Sequence, residues 1–176
     1  MRKTIIFALL AIQSLSVAAQ QWVESPMAHC ENPEFNRKVS KLLNFSVDVI
    51  GVIDIKDNLQ DYTILDIREP EEYKVSHIPG AQFFGYKNPS WEKLNDLDKD
   101  ESIVLYCSIG YRSEKMGEKL IKKGFTNVRN LYGSIFEWAN QGLPMENIKN
   151  ETVPKVHGYN KRWSKWVNNQ EIDVTY

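Results

Sequence analysis

The chain has 176 residues, with 22 Lys and Arg against 23 Asp and Glu and a formal net charge of −1 at pH 7. Such a balance lacks the basic excess that nucleic-acid binding proteins carry, so we expect no nucleic-acid partner. The length suits one domain with a hydrophobic core, and is short for two. We therefore expect one globular unit with extensions.

The first residues have the layout of a secretory signal peptide. Two cations, Arg2 and Lys3, precede an apolar run that begins at Ile5, and small residues lead to a cleavage point after Ala19. The apolar run is shorter than the roughly 18 to 20 residues that a bilayer span needs. We predict that residues 1–19 are a signal peptide and that the exported protein keeps no stable membrane anchor.

An N-terminal extension is predicted for residues 20–46, and it contains a helix. Asn32 is a capping residue and Pro33 suits the first helical position. Apolar side chains then recur at helical spacing from Phe35 to Leu43.

From residue 47 to about residue 145, segments typical of strands alternate with segments typical of helices. The predicted strands are VDVIGVI, YTILDI, AQFFGY, SIVLYC and VRNLY, and the predicted helices are WEKLNDL, SEKMGEKLIKKGF and SIFEWANQG. This alternation indicates an α/β domain with a mainly parallel sheet. We assign residues 47–145 to that domain.

Residues 146–176 form a polar tail that combines basic and aromatic side chains in KVHGYNKRWSKWV. One interpretation is an arm that binds a partner or an anionic surface. The other is a tail whose Trp residues pack on the domain while its cations stay solvated. We favour the second interpretation.

Cys107 lies where a buried strand ends and a short loop leads into a helix. Open α/β sheets bind ligands at that edge, and the free N–H groups of a loop and a helix start favour an anion. A thiolate there has a lowered pKa, Gly110 lets the loop curl, and Arg112 adds a positive charge. The same donors would stabilise a persulfide. The plainer alternative is a small buried hydrophobe at a strand end.

Three segments in this order resemble the rhodanese-like domain: residues 65–81 (LDIREPEEYKVSHIPGA), residues 106–120 (YCSIGYRSEKMGEKL) and residues 130–145 (NLYGSIFEWANQGLPM). The resemblance implies a five-stranded, mainly parallel sheet with helices on both faces. It also implies transfer of sulfane sulfur from thiosulfate or a persulfide to a thiol or cyanide.

The resemblance carries residue roles with it. Cys107 matches the sulfur-carrying nucleophile, and Asp66 and Arg68 match an Asp-x-Arg motif whose Asp supports the active-site loop. The loop that would bind substrate is formed by Ser108, Ile109, Gly110, Tyr111 and Arg112.

One position departs from the family pattern, because Ser76 stands where Gly usually precedes His-Ile-Pro-Gly. This affects a turn more than the chemistry. We interpret His77 as a hydrogen-bonded scaffold residue rather than a base, and Arg68 with Glu72 as a scaffold ion pair.

The function that we predict is therefore an exported sulfurtransferase of the thiosulfate:cyanide type, working through a persulfide on Cys107. One alternative is a thiol redox or persulfide-binding module that uses Cys107 with Cys30. Another is a phosphatase, which we disfavour because Cys107 to Arg112 is a Cys-x4-Arg loop, one residue shorter than phosphate requires.

The remaining expectations concern partners and location. We expect no cofactor and no metal, because the His and Cys residues lack ligand spacing. The expected partners are a small sulfur donor and a thiol acceptor, which includes a protein thiol. Similarity to small exported rhodaneses implies a periplasmic location, with secretion as the alternative.

Overall fold

The computed structural model describes residues 28–176. The predicted signal peptide at 1–19 and the beginning of the predicted extension, residues 20–27, lie outside the described residues. The predicted N-terminal helix is confirmed as α1 (Pro33–Ser40). The Asn32 side chain accepts hydrogen bonds from the N–H groups of Glu34 and Phe35, at 2.9 and 3.1 Å, which satisfies donors that a helix start leaves unpaired.

A five-stranded sheet forms the centre of the fold, and all its strand pairs are parallel. Its spatial order is β1-β5-β4-β2-β3. The strands are β1 (Asp48–Ile50), β2 (Thr63–Asp66), β3 (Gln82–Phe83), β4 (Ile103–Tyr106) and β5 (Val128–Leu131). The predicted α/β class and sheet are thereby confirmed, and β4 is central and fully buried.

Helices α2 (Val52–Ile55), α3 (Pro70–Val75) and α4 (Tyr111–Lys122) lie between strands of this sheet in the chain, and α5 (Ser134–Asn140) follows its last strand. Two predictions for connecting segments were wrong. The second half of VDVIGVI is helical, because the Gly51 N–H bonds to the Asp54 side chain at 2.9 Å and starts α2 there. WEKLNDL contains only a 3₁₀ helix, Trp91–Leu94. A second 3₁₀ helix, Leu59–Asp61, was not predicted.

Each face of the sheet has its own apolar layer, because successive side chains of a strand point to opposite faces. Val104 and Tyr106 of β4 pack in the layer that holds residues of α1, α2 and α5. Ile103 and Leu105 pack in the layer that holds residues of α4. Cys107 follows β4 and belongs to the α4 layer.

The C-terminal tail is ordered and packs on the domain, as predicted. It contains β6 (Lys155–His157), α6 (Lys161–Ser164) and β7 (Asp173–Thr175), with β6 and β7 paired in parallel. Trp166 stacks on Phe35 of α1 with ring centroids 5.6 Å apart. The cations of α6 and its C-cap are exposed. Within residues 28–176, no helix has the length and apolar character to cross a membrane.

Candidate active site

Cys107 is the first residue after β4, and α4 begins four residues later at Tyr111, as the sequence predicted. The side chain is almost fully buried. The Gly110 N–H donates to the Cys107 Sγ at 3.2 Å. Burial raises the pKa of the Cys107 thiol, but the Arg112 charge and the backbone N–H groups of Ser113 and Ile109 outweigh it and lower that pKa below its usual value. The loop therefore favours the thiolate.

Gly110 gives the loop its curl. Its φ of 117° lies in the left-handed region that side chains disfavour. Its carbonyl oxygen accepts bonds from the Asn130 amide at 3.0 Å and from the Ser113 hydroxyl at 3.1 Å. These two bonds hold the Gly110 carbonyl in place at the start of α4. Gly110 was predicted from the sequence as a loop residue, whereas Asn130 and Ser113 were not.

Helix α5 holds the other side of the loop. Its Ile135 and Phe136 N–H groups donate to the carbonyl oxygens of Cys107 and Ser108, at 3.3 and 3.2 Å. The Ser134 hydroxyl accepts the Cys107 N–H at 3.2 Å and donates to the Leu131 carbonyl at 3.0 Å. The start of α5 is thus occupied by loop carbonyls, a role that the periodicity of SIFEWANQG does not reveal.

Arg112 is held by Glu72 of α3. The two guanidinium nitrogens donate to the two carboxylate oxygens, both at 2.7 Å, and Ser108 bonds to both partners. The predicted Arg68–Glu72 ion pair was therefore wrong. Arg68 turns back onto Asp66, two residues earlier in the buried interior, at 2.6 Å. Glu72, one turn into α3, is left to reach across to Arg112.

Asp66 and Arg68 brace the sheet beneath the loop. Asp66 accepts the Tyr106 hydroxyl at 2.7 Å, and Arg68 donates to the Ser76 carbonyl at 2.5 Å. In the hydrogen bonds of the described chain, Asp66 reaches Tyr106, the residue before Cys107, rather than the loop at 108–112. The support that the resemblance implied would act through that strand end.

The His-Ile-Pro-Gly segment is structural in its contacts. The His77 ring stacks on Tyr73 with centroids 3.9 Å apart, and its Nδ1 lies 3.2 Å from the Tyr73 carbonyl. The His77 N–H donates to the Glu146 carbonyl at 2.8 Å. Ser76 replaces glycine without strain, because its φ of −169° is ordinary extended backbone.

A cavity of about 260 Å³ opens over Cys107. Of the predicted substrate loop, Ser108, Ile109, Tyr111 and Arg112 line it. The rest of its wall comes from the two extensions, as Leu42, Tyr159 and Trp163. The Tyr159 ring lies over the Arg112 guanidinium, 4.9 Å from ring centroid to Cζ. Neither extension was predicted to line the site.

Cys30 lies elsewhere. Both cysteines are free thiols, and Cys30 packs in the apolar layer on the face of the sheet opposite the Cys107 layer. Burial raises the pKa of Cys30, and the neighbouring Glu137 carboxylate raises it further. Within residues 28–176, His, Cys, Asp and Glu form no group of three or more that could hold a metal ion.

The sequence model of the rhodanese-like domain matches residues 52–141, which is half of the chain. The chain belongs to the rhodanese-like domain family.

The chain is 36% identical over 87 residues to a sulfurtransferase of Allochromatium vinosum, covering 49% of this chain and 79% of that protein. It is 36% identical over 89 residues to the probable adenylyltransferase/sulfurtransferase MoeZ of Mycobacterium tuberculosis, of which it spans only 23%. Both relatives have sulfurtransferase in their names, and each match covers about half of this chain.

Among solved structures, the rhodanese-like domain of the Anabaena protein Alr3790 superposes with a TM-score of 0.52 at 26% identity, covering 57% of this chain and 79% of that one. A thiosulfate sulfurtransferase of Pseudomonas aeruginosa superposes with a TM-score of 0.52 at 20% identity, covering 60% of this chain and 21% of that one, and shares the fold.

Proposed function

We propose that this protein is a sulfurtransferase that moves sulfane sulfur from a donor, thiosulfate or a persulfide, to a thiol or cyanide through a persulfide on Cys107. The observation that carries the proposal is the buried thiol whose Sγ receives the Gly110 N–H at the floor of an open cavity. Such a site stabilises a negative sulfur and leaves room for a donor above it.

The proposed reaction has two displacement steps. The Cys107 thiolate attacks the outer sulfur of thiosulfate, the S–S bond of the donor breaks, and sulfite leaves with the electron pair. The product is a Cys107 persulfide whose terminal sulfur carries the negative charge. A thiolate or cyanide then attacks that terminal sulfur and expels the Cys107 thiolate. The lowered pKa of Cys107 raises the fraction of thiolate that is available for the first attack.

The two alternatives receive no support from the site. A redox pair with Cys107 would need Cys30 within bonding reach, whereas Cys30 packs in the layer across the sheet. A phosphatase would need a free Arg and a longer loop, whereas Arg112 is bound by Glu72 in a Cys-x4-Arg loop.

The context that we propose follows the predicted signal peptide. The protein would act after export, in the periplasm, on a small donor and on a thiol acceptor that includes a protein thiol. Fractionation of cells that express the full chain tests this, with N-terminal sequencing of the exported product. Recovery in the cytosol with residues 1–19 intact would contradict it.

Sulfur transfer itself is tested by thiocyanate formation from thiosulfate and cyanide. We expect parallel double-reciprocal lines, which indicate a substituted enzyme. The Cys107→Ser variant should form no thiocyanate above background, and the matched Cys30→Ser variant should keep the wild-type rate. Activity that survives Cys107→Ser, or that needs both cysteines, would overturn the proposal.

A further inference from the structure

We infer that the cavity over Cys107 selects sulfur donors that carry an apolar organic group, and that Trp163 and Tyr159 of the C-terminal tail form the wall that binds this group. The inference rests on the proposed sulfur transfer and names its substrate class. Its three supports are the lining of the cavity, its size and its lack of an unpaired positive charge.

The lining is mainly apolar and aromatic. Ile109 and Tyr111 come from the loop, Leu42 from the segment after α1, and Tyr159 and Trp163 from the tail. The tail is fixed in this position, because Val156 is buried in the core and the Asn160 side chain caps α6 through the N–H groups of Arg162 and Trp163. Trp163 is therefore presented to the cavity by an ordered element.

The size suits more than a sulfur atom. The cavity measures about 260 Å³, whereas an apolar cavity of roughly 150 Å³ is enough to bind benzene in another protein. An aromatic ring therefore fits between the tail and the loop while the transferred sulfur faces Cys107. Small inorganic donors would leave this wall uncontacted and hydrated.

The charge disfavours a dianion. Arg112 is the one basic residue that lines the cavity within residues 28–176. Both terminal nitrogens of the Arg112 guanidinium donate to the Glu72 carboxylate, and the Tyr159 ring lies over the guanidinium face. Lys38 and Arg162 lie over the Trp163 ring at 5.2 and 5.9 Å, but neither lines the cavity. The backbone donors at Cys107 already serve the thiolate, so a dianionic donor finds no unpaired cation there.

Thiosulfonates provide matched probes of this selectivity. The Cys107 thiolate attacks the outer sulfur of a thiosulfonate, the bond from that sulfur to the sulfonyl sulfur breaks, and the sulfinate leaves with the electron pair. Benzenethiosulfonate and methanethiosulfonate carry the same charge and the same reacting group, and they differ in the apolar group. Thiosulfate is included as a third donor because it is a dianion and has no organic group.

The experiment measures kcat/KM for sulfur transfer to cyanide from these three donors. We expect benzenethiosulfonate to exceed methanethiosulfonate by about tenfold, with thiosulfate the poorest donor. The Trp163→Ala variant should lower the ratio of kcat/KM for benzenethiosulfonate to kcat/KM for methanethiosulfonate by about fivefold or more, because the phenyl group loses a side chain that it packs against. Dividing the variant ratio by the wild-type ratio cancels the intrinsic reactivity of the donors.

Trp166→Ala is the matched control. Trp166 lies in the same part of the tail but stacks on Phe35 outside the cavity lining, so its loss should leave the ratio unchanged. If Trp163→Ala fails to fold, Leu42→Ala, which shortens another apolar side chain that lines the cavity, should lower the ratio in the same way. Equal ratios in wild type and cavity variants, or an equal fall in Trp166→Ala, would overturn the inference while sulfur transfer stands. Transfer from none of the donors would overturn the proposed function as well.

Discussion

Replacing Glu72 by Gln removes the charge that organises the loop entrance. The Glu72 side chain is 3% exposed and accepts two bonds from Arg112. Burial raises its pKa, but the Arg112 bonds and charge outweigh burial and lower the pKa from the ordinary 4.5 to about 2. This difference corresponds to roughly 3 kcal/mol of folding free energy at pH 7.

The sign of the pH dependence follows from a lowered carboxyl pKa. The stabilisation is complete above the unfolded-state value of 4.5 and is lost as the pH falls toward about 2. We expect Glu72→Gln to lose roughly 3 kcal/mol in urea denaturation at pH 7, and the gap to wild type to narrow to less than half near about pH 3.

The matched control for this change is Glu71→Gln, on the exposed face of the same helix, which should change stability by at most about 0.5 kcal/mol. A loss below about 1 kcal/mol in Glu72→Gln at pH 7, or a gap that stays constant with pH, would mean that the ion pair with Arg112 does not stabilise the fold in this way.

Three further predictions concern the loop and its supports. Iodoacetamide should alkylate Cys107 with a half-maximal rate at a pH below 9.0, while burial and Glu137 keep Cys30 unmodified; peptide mapping that finds Cys30 modified first would contradict this. Gly117→Ala should lower stability by about 1 kcal/mol in urea denaturation, because its Cβ would lie 2.9 Å from a buried Val47 methyl; an unchanged midpoint would show that α4 can move. Ser134→Ala should cost about 1 to 3 kcal/mol, because the Cys107 N–H loses its acceptor; a neutral result would mean that another acceptor takes that place.

Local patterns in the sequence predicted most of the fold. The Asn32-Pro33 cap, the buried run before Cys107 and the apolar face of α4 each depend on neighbours within one element, so residue spacing reveals them. The secondary-structure predictions were wrong where a single contact determines whether a segment becomes a strand or a helix. The bond from Gly51 to Asp54 ends a strand that the apolar run VDVIGVI would continue.

For the candidate site, the sequence indicated the loop after β4 but not the residues that contact this loop from other elements. Cys107, Gly110 and Arg112 lie within one short segment of the chain, and the family resemblance identifies them. The ion pair of Arg112 with Glu72 joins residues 40 apart, and Trp163 reaches the cavity from the tail. Such contacts depend on how helices, strands and the tail pack together. An amphipathic or basic sequence pattern does not identify the distant side chain that a residue will contact.

The proposed persulfide on Cys107 is tested most simply by the intact mass of the reduced protein after incubation with a sulfur donor. We predict a gain of roughly 32 Da, one sulfur atom, that is absent in Cys107→Ser, present in Cys30→Ser and discharged by cyanide. No gain from thiosulfate, a thiosulfonate or a persulfide, together with a loss of about 2 Da in unreduced protein that needs both Cys30 and Cys107, would contradict sulfur transfer through Cys107 and favour a disulfide.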